Sequence, residues 1–210
     1  MKRSVLVLAL GATLAAAAPA GAVSFNDLAS FQAATTSLTL IDFNDDTSGN
    51  PTVDGSDIGN TYASLGAVFP AGNLFENGFI ESASPPMGWL SNTRAPTSVF
   101  EVNFTIPGVT AIGVVNVFSG SQATLSAFDS ADNLLESVLS DSNLFSLDFF
   151  GVTAASDIAR VTITFDGISG WGLDDLYFGA AGSHAVPEPG SLALLGLGLA
   201  GLGLVRRRRA

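Results

Sequence analysis

Cysteine is absent from the chain of 210 residues. This excludes disulfide bonds, cysteine nucleophiles and zinc sites built on thiolates. Histidine is nearly absent as well, because the single copy, His184, follows the last predicted strand in what reads as a linker. A Ser-His-Asp triad and most zinc sites need histidine inside the fold. The sequence therefore argues against a Ser-His-Asp triad and against a zinc site. Stability must come from an apolar core, helped at most by a bound metal other than zinc.

Basic residues are scarce in the central part of the chain. Six of the eight lysines and arginines lie in the terminal segments, which leaves Arg94 and Arg160 within residues 23–185, whereas eighteen of the nineteen acidic residues lie there. The net charge of this part is therefore −16. Such a surface repels nucleic acid and anionic polysaccharide, and it suits divalent cations or simple solubility outside the cell. We expect no nucleic-acid partner.

The apolar periodicity of long helices is also missing. Only residues 25–33 read as a short helix, with Ser24 and Asp27 as a capping box. Elsewhere, short runs of Val, Ile, Thr and Phe alternate with turn residues, which is typical of strands. The predicted strands are 38–44, 67–69, 79–82, 99–106, 111–118, 123–129, 134–140, 144–150, 159–165 and 171–178, with a hairpin turn at 130–133. A parallel α/β sheet would need long helices between strands, so we predict an all-β sandwich or jelly roll.

The first residues have the three parts of a secretory signal peptide. Lys2 and Arg3 precede an apolar core at 5–18, and the small residues Ala20-Gly21-Ala22 form a cleavage site. We therefore predict a signal peptide at 1–22 that signal peptidase removes, so that the mature chain begins at Val23.

The last residues read as a membrane anchor. A Pro-Glu-Pro turn leads into an apolar run at 190–205, which a cluster of arginines ends. As a helix, this run reaches about 24 Å, short of the roughly 30 Å of a bilayer core, and local thinning or arginine snorkelling can make up the difference. Clustered arginines stay on the cytoplasmic side, so the body lies on the other side. The residues of this segment are Pro187, Glu188, Pro189, Arg206, Arg207, Arg208 and Arg209.

These three parts, in this order at the C-terminus, resemble the PEP-CTERM sorting signal. The resemblance implies that a membrane-embedded exosortase processes the chain near Pro-Glu-Pro. It also implies a Gram-negative bacterium that makes exopolysaccharide, with a transient inner-membrane anchor and release to the cell surface or beyond. The chain then divides into a signal peptide at 1–22, a body at 23–185 and a sorting segment at 186–210.

The body also resembles the β-sandwich ectodomains of PEP-CTERM proteins. The similar segments are Ile41-Asp42-Phe43-Asn44, residues 62–69 and residues 173–178. This resemblance implies a galactose-binding-like or lectin-like jelly roll without a defined activity.

Calcium is the cofactor that the residues suggest, because it binds carboxylate, amide and carbonyl oxygens. Candidate ligands end an early strand and lie in the last one, and these strands can be neighbours in a jelly roll. They are Asp42, Asn44 and Asp45 with Asp46, and Asp174 with Asp175. Strand alternation places Asp174 on one side with Leu176 and Phe178, where a carboxylate needs a partner. The alternative is that these aspartates cap turns.

Carbohydrate binding is the function that we predict for the body, and the loops at 47–59 and 83–96 are expected at a binding edge. Trp89, which follows Pro86 and Gly88 in the proline-rich loop, is the candidate for an exposed sugar-stacking residue, whereas Trp171 alternates with Leu173 and reads as core. No nucleophile is paired with a base, and the many carboxylates single out no pair for glycoside hydrolysis, so we expect no enzyme. The alternative is a structural or interaction protein of the biofilm matrix without a ligand pocket.

Overall fold

The computed structural model describes residues 22–70, 74–77, 88–91, 99–119, 122–140, 147–165 and 171–182. They belong to one compact unit that spans residues 20–184. The predicted signal peptide up to residue 21, the strand predicted at 79–82, His184 and the sorting segment lie outside the described residues. Within the part described, no helix is long and apolar enough to cross a membrane.

The regular secondary structure of the described chain is almost entirely β. Its one α-helix, α1, spans Leu28–Ala33, and a single 3-10 turn spans Ala63–Leu65. The strands are β1 (Val23–Phe25), β2 (Thr35–Ile41), β3 (Ala67–Val68), β4 (Leu74–Asn77), β5 (Gly88–Ser91), β6 (Val99–Phe104), β7 (Ala111–Ser119), β8 (Ala123–Phe128), β9 (Leu134–Leu139), β10 (Asp148–Thr153), β11 (Arg160–Phe165) and β12 (Trp171–Ala181).

The strands form two antiparallel sheets. The larger sheet has the order β1-β10-β7-β12-β5-β4, with β2 also paired to β12, and the smaller has the order β3-β6-β11-β8-β9. Both sheets contribute alternate residues to one core, in which Leu125 and Ile163 of the smaller sheet join Ile112 and Phe150 of the larger. The all-β prediction is confirmed, while the finer assignment to a galactose-binding-like jelly roll stays a prediction.

Helix α1 covers the outer face of the larger sheet. Phe31 packs on Phe149 with ring centroids 5.1 Å apart, and Phe149 lies 6.2 Å from the ring of Tyr177. The predicted capping box is wrong in detail. Asp27 is the N-cap, and its carboxylate accepts a hydrogen bond from Ser30 N at 2.8 Å. Ser24 lies in β1 instead, because the sheet captures residues 23–25 through pairing with β10.

Several strand boundaries differ from the prediction. β2 ends at Ile41 rather than at residue 44, because Phe43 takes a left-handed backbone conformation with φ 59°. β10 continues to Thr153, and the sequence did not predict β1, β4 or β5. The hairpin turn at 130–133 is confirmed, since Asp129 and Asn133 close it through a backbone hydrogen bond of 3.0 Å.

A β-bulge interrupts the last strand. Leu173 and Leu176 are three residues apart, yet both belong to the core between the sheets, because the register with β7 shifts between Asp174 and Tyr177. Asp174 pairs with Val115, whose side chain lies in the cluster under helix α1. Directly paired residues share a face, so Asp174 lies on the face opposite Leu176. The predicted shared side with Leu176 and Phe178 is therefore wrong.

Candidate functional site

The loop between β2 and β3 is built from polar turns. Asp46 is its organising residue, because its carboxylate accepts hydrogen bonds from Ser48 N at 2.8 Å, Asn50 N at 2.9 Å and Asn50 Nδ2 at 2.9 Å. These bonds favour the ionised carboxylate, and the side chain and then the backbone of Asn50 lower the pKa of Asp46 below its ordinary value. Asp46 therefore holds one defined turn.

A second turn, around Asp129, has the same hydrogen bonds as the turn around Asp46 and lies outside the loop. Asp129 accepts hydrogen bonds from Ala131 N, Asn133 N and Asn133 Nδ2 at 2.8 to 2.9 Å. The fourth residue of each turn is left-handed, with φ 78° at Gly49 and 62° at Asp132. The sequence signal that the two turns share is Asp followed four residues later by Asn.

The base of the loop is fixed in the protein core. The rings of Phe43 and Tyr62 are 5.7 Å apart, and Phe69 lies 6.0 Å and 6.1 Å from them. Tyr62 also donates its hydroxyl to the carbonyl oxygen of Asp45 at 3.1 Å. An isolated bridge between Asp45 and Pro51 narrows the loop above this contact. The loop is therefore rigid at its base although most of its residues are polar.

The loop encloses an open cleft of about 300 Å³. Two carboxylates and four hydroxyls line it together with two apolar residues. The lining residues are Asp46, Thr47, Pro51, Thr52, Val53, Ser56, Asp57 and Thr61. The Thr52 hydroxyl is buried near the phenol of Tyr62. It forms no hydrogen bond with any group that the structure describes. The cleft thus offers several hydrogen-bonding groups to a ligand, and the loop predicted at 47–59 supplies six of its eight lining residues.

Negative charge is concentrated at the base of the loop. Burial first, and then the nearby carboxylates of Asp42, Asp45 and Asp46, raise the pKa of Tyr62 from 10.0 to about 12. All three carboxylates therefore act on one phenol, which stays protonated at neutral pH. The field around the loop disfavours anionic ligands and favours neutral or cationic ones.

The predicted calcium ligands lie directly after β2 and within β12. β2 and β12 are paired, with Ile41 opposite Leu176, so the predicted adjacency of these strands is found. Asp42 nevertheless accepts a hydrogen bond from Asn44 N at 3.2 Å, which is the turn-capping role that the sequence left open. Asn44 is buried, and its carbonyl oxygen accepts from Thr52 N at 2.8 Å.

Asp174 and Asp175 are buried in the bulge of β12. Asp174 accepts from Asp175 N at 2.9 Å, and Asp175 accepts from the Tyr177 hydroxyl at 3.3 Å. Among the residues that the structure describes, no three Asp, Glu, His or Cys side chains are grouped to hold a metal ion. The calcium set of Asp42, Asn44, Asp45 and Asp174 stays a prediction.

The two tryptophans have different positions. Trp171 is buried and stacks on Phe165 with ring centroids 4.8 Å apart and an interplanar angle of 3°, so its predicted core position is confirmed. Trp89 lies in β5 opposite Glu76. The surroundings of its side chain lie outside what the structure describes, and its role as a sugar-stacking residue stays a prediction.

Comparison with known protein families gives one match. Residues 185–209 match the family described as the PEP-CTERM protein-sorting motif. A comparison with curated proteins found none that matches the chain. The motif implies export, membrane-associated processing by an exosortase and sorting to the cell surface, as the resemblance of the C-terminal residues suggested.

Proposed function

We propose that the exported body is a non-catalytic carbohydrate-binding module and that its site is the cleft in the 42–62 loop. The observation that carries this proposal is the cleft lining, in which carboxylates and hydroxyls alternate with Pro51 and Val53. Sugar hydroxyls both donate and accept hydrogen bonds, so they match such a lining. The volume of about 300 Å³ is at the lower end for small-ligand sites and suits one or two sugar rings.

The ligand class follows from the charge. Asp46 and Asp57 lie in the wall of the cleft, and Asp42 and Asp45 lie near its base. Uncharged sugars and amino sugars are compatible with these carboxylates, whereas uronic acids and sulfated sugars are repelled. We therefore propose a neutral or amino-sugar segment of an exopolysaccharide, bound at the surface of a Gram-negative cell or in its matrix after release of the transient anchor. The jelly-roll assignment belongs to this proposal.

Calcium remains part of the proposal as a structural ion. Asp42, Asp45 and Asp46 converge on Tyr62 in a body that carries a charge of −16, and this convergence supports the idea. A calcium ion would offset their mutual repulsion, with further oxygen ligands from Asn44 and Asp174.

A glycan array with the exported protein tests the sugar proposal. The matched variants are Asp46→Ala and Asp129→Ala, because both remove the same turn-capping carboxylate, whereas only the first borders the cleft. Each variant is expected to lose about 1 kcal/mol of stability, and only Asp46→Ala should lose glycan binding.

The other outcomes of the array are equally informative. Equal binding by Asp46→Ala and the wild type would place the sugar site elsewhere, and Trp89→Ala then tests the 83–96 loop. If Trp89→Ala retains every glycan that the wild type binds, Trp89 is not the stacking residue. A wild type that binds no glycan would contradict the sugar proposal and favour the structural role in the biofilm matrix.

A further inference from the structure

Thr52 lies between the base of the cleft loop and the cleft itself. Its backbone N–H donates to the carbonyl oxygen of Asn44 at 2.8 Å, next to the bridge between Asp45 and Pro51. The same residue lines the cleft. The backbone at Thr52 is therefore fixed by the loop, and its side chain is the part that can turn.

The hydroxyl of Thr52 is buried and forms no hydrogen bond within the part of the chain that the structure describes. The nearby phenol of Tyr62 gives its own proton to the carbonyl oxygen of Asp45 at 3.1 Å. A buried hydroxyl without a partner loses the hydrogen bonds that it makes with water in the unfolded chain, so it destabilises the folded state. Such groups are rare in native proteins, and this one belongs to a residue of the candidate site.

The carboxylates of the cleft differ from Thr52, because they accept hydrogen bonds that shape the loop. Asp46 accepts three within its own turn, from Ser48 N, Asn50 N and Asn50 Nδ2. Asp57 accepts one from Gly59 N at 3.0 Å. These carboxylates therefore have a structural role whether or not a sugar is bound, whereas the loop makes no such use of the Thr52 hydroxyl.

Rotation about χ1 is the motion that brings a buried threonine hydroxyl to the surface. Threonine has three staggered χ1 positions, and a rotation exchanges the hydroxyl with the methyl group or with the hydrogen on Cβ. Thr52 lines the cleft although its hydroxyl is buried, so atoms other than this oxygen form its part of the wall. Rotation of the side chain breaks no hydrogen bond with the groups that the structure describes.

We propose that Thr52 determines the specificity of the cleft, and that its hydroxyl turns from the phenol of Tyr62 to a hydroxyl group of the bound sugar. The inference rests on the proposed sugar function and adds the contact that selects the ligand. A sugar hydroxyl both donates and accepts, so it can satisfy the threonine hydroxyl in either sense. A deoxy sugar that lacks a hydroxyl at this point leaves Thr52 without a partner and is therefore bound less well.

Thr52→Val tests the state of the hydroxyl in the absence of sugar, because valine replaces it by a methyl group. The exported variant should unfold at the same urea concentration as the wild type or at a higher one, since a buried group without a partner is removed. Thr35→Val is the matched control. The Thr35 hydroxyl is buried and donates to the carbonyl oxygen of Phe31 at 2.9 Å, so this variant should unfold at a lower urea concentration. A lower urea midpoint for Thr52→Val as well would show that its hydroxyl is already bonded, and it would overturn the proposal.

Titration calorimetry with oligosaccharides of glucose, galactose and glucosamine measures binding. Thr52→Val should bind about three- to tenfold more weakly than the wild type, as expected for the loss of one neutral hydrogen bond. Thr52→Ser, which keeps the hydroxyl, and Thr35→Val should bind like the wild type. Equal binding by Thr52→Val and the wild type, or equally weak binding by Thr52→Ser and Thr52→Val, would overturn this inference and leave the sugar proposal in place. A wild type that binds none of these oligosaccharides and no glycan on the array would contradict the sugar proposal, and this inference with it.

Discussion

The hydroxyl of Tyr62 donates a hydrogen bond to the carbonyl oxygen of Asp45, seventeen residues away, at 3.1 Å. This bond joins the two ends of the cleft loop, while the ring of Tyr62 is part of the core. The contact connects a structural cluster to the candidate binding site.

Tyr62→Phe should retain the ring packing and lose this bond. The free energy of unfolding is expected to fall by roughly 1 kcal/mol, because a partly buried hydrogen bond is lost. Amide hydrogen exchange should accelerate in residues 45–52. Tyr177→Phe is the matched control, since it removes a hydroxyl bonded to Asp175. If exchange in the loop were unchanged in Tyr62→Phe, the loop would be held by other contacts.

The protein should lose stability between about pH 10 and pH 12. Burial raises the pKa of both tyrosines, Tyr62 and Tyr177, from 10.0 to about 12. The unfolded chain releases these protons first, so the stabilisation is complete below pH 10 and is lost as the pH rises through the folded pKa. Urea denaturation at pH 8, 10 and 11 measures the effect.

The chain has only two tyrosines. In each Tyr→Phe variant, tyrosinate absorbance therefore measures the titration of the one tyrosine that remains. Titration of either phenol near pH 10 in the folded protein would show that this phenol is not buried as described.

Added calcium should raise the melting temperature of the body, because an ion that binds only the folded state stabilises it. Extracellular calcium sites have dissociation constants of about 0.1 to 1 mM, so ~10 mM calcium should add about 1.4 to 2.7 kcal/mol. Asp45→Asn is expected to reduce the gain, and Asp129→Asn serves as the control outside the proposed set. A melting curve that is the same in calcium and in chelator would remove calcium from the proposal.

Gly113→Ala should destabilise the face under helix α1. A Cβ atom at this position would overlap the ring of Phe149, so we expect a loss of roughly 1–3 kcal/mol. The double variant with Phe149→Leu should recover part of this loss, because the smaller side chain leaves space for the new methyl group. Chemical denaturation of the four species provides a double-mutant cycle, and the absence of coupling would contradict the close packing of the pair.

Replacing Pro187 and Pro189 by Ala should leave the chain unprocessed in the membrane fraction, because the rigid turn next to the apolar run is lost. Mass spectrometry of the membrane and medium fractions measures the outcome. Replacing Arg206 to Arg209 by Ser should instead disturb the orientation of the anchor. Normal release of the double proline variant would show that processing does not depend on Pro-Glu-Pro.

The fold was predictable where side-chain alternation is regular. In β8, the buried residues Ala123, Leu125 and Ala127 alternate with partly exposed ones. The sequence showed this alternation directly. The bulge in β12 was not predictable, because two adjacent aspartates in an apolar strand read as ordinary alternation until the partner strand fixes the register. The start of helix α1 was misplaced because pairing with β10 overrides the local capping signal of Ser24.

The cleft was predictable only in part. The polar composition of residues 47–59 marked a loop that could bind a ligand. Its shape depends on the bond between Tyr62 and Asp45 and on the ring cluster with Phe43, and these contacts join residues far apart in sequence. No local pattern specifies such contacts.

The larger sheet places Val23, Thr153, Ala111 and Gly179 in one row across β1, β10, β7 and β12, and this row has a consequence for engineering. A short peptide could join residue 182 directly to residue 23 and close the mature body into a circle. New termini could then be opened in the exposed hairpin at 130–133, which yields a circular permutant with an unaltered sandwich. The same geometry allows the module to be inserted into a surface loop of a host protein, with both junctions side by side.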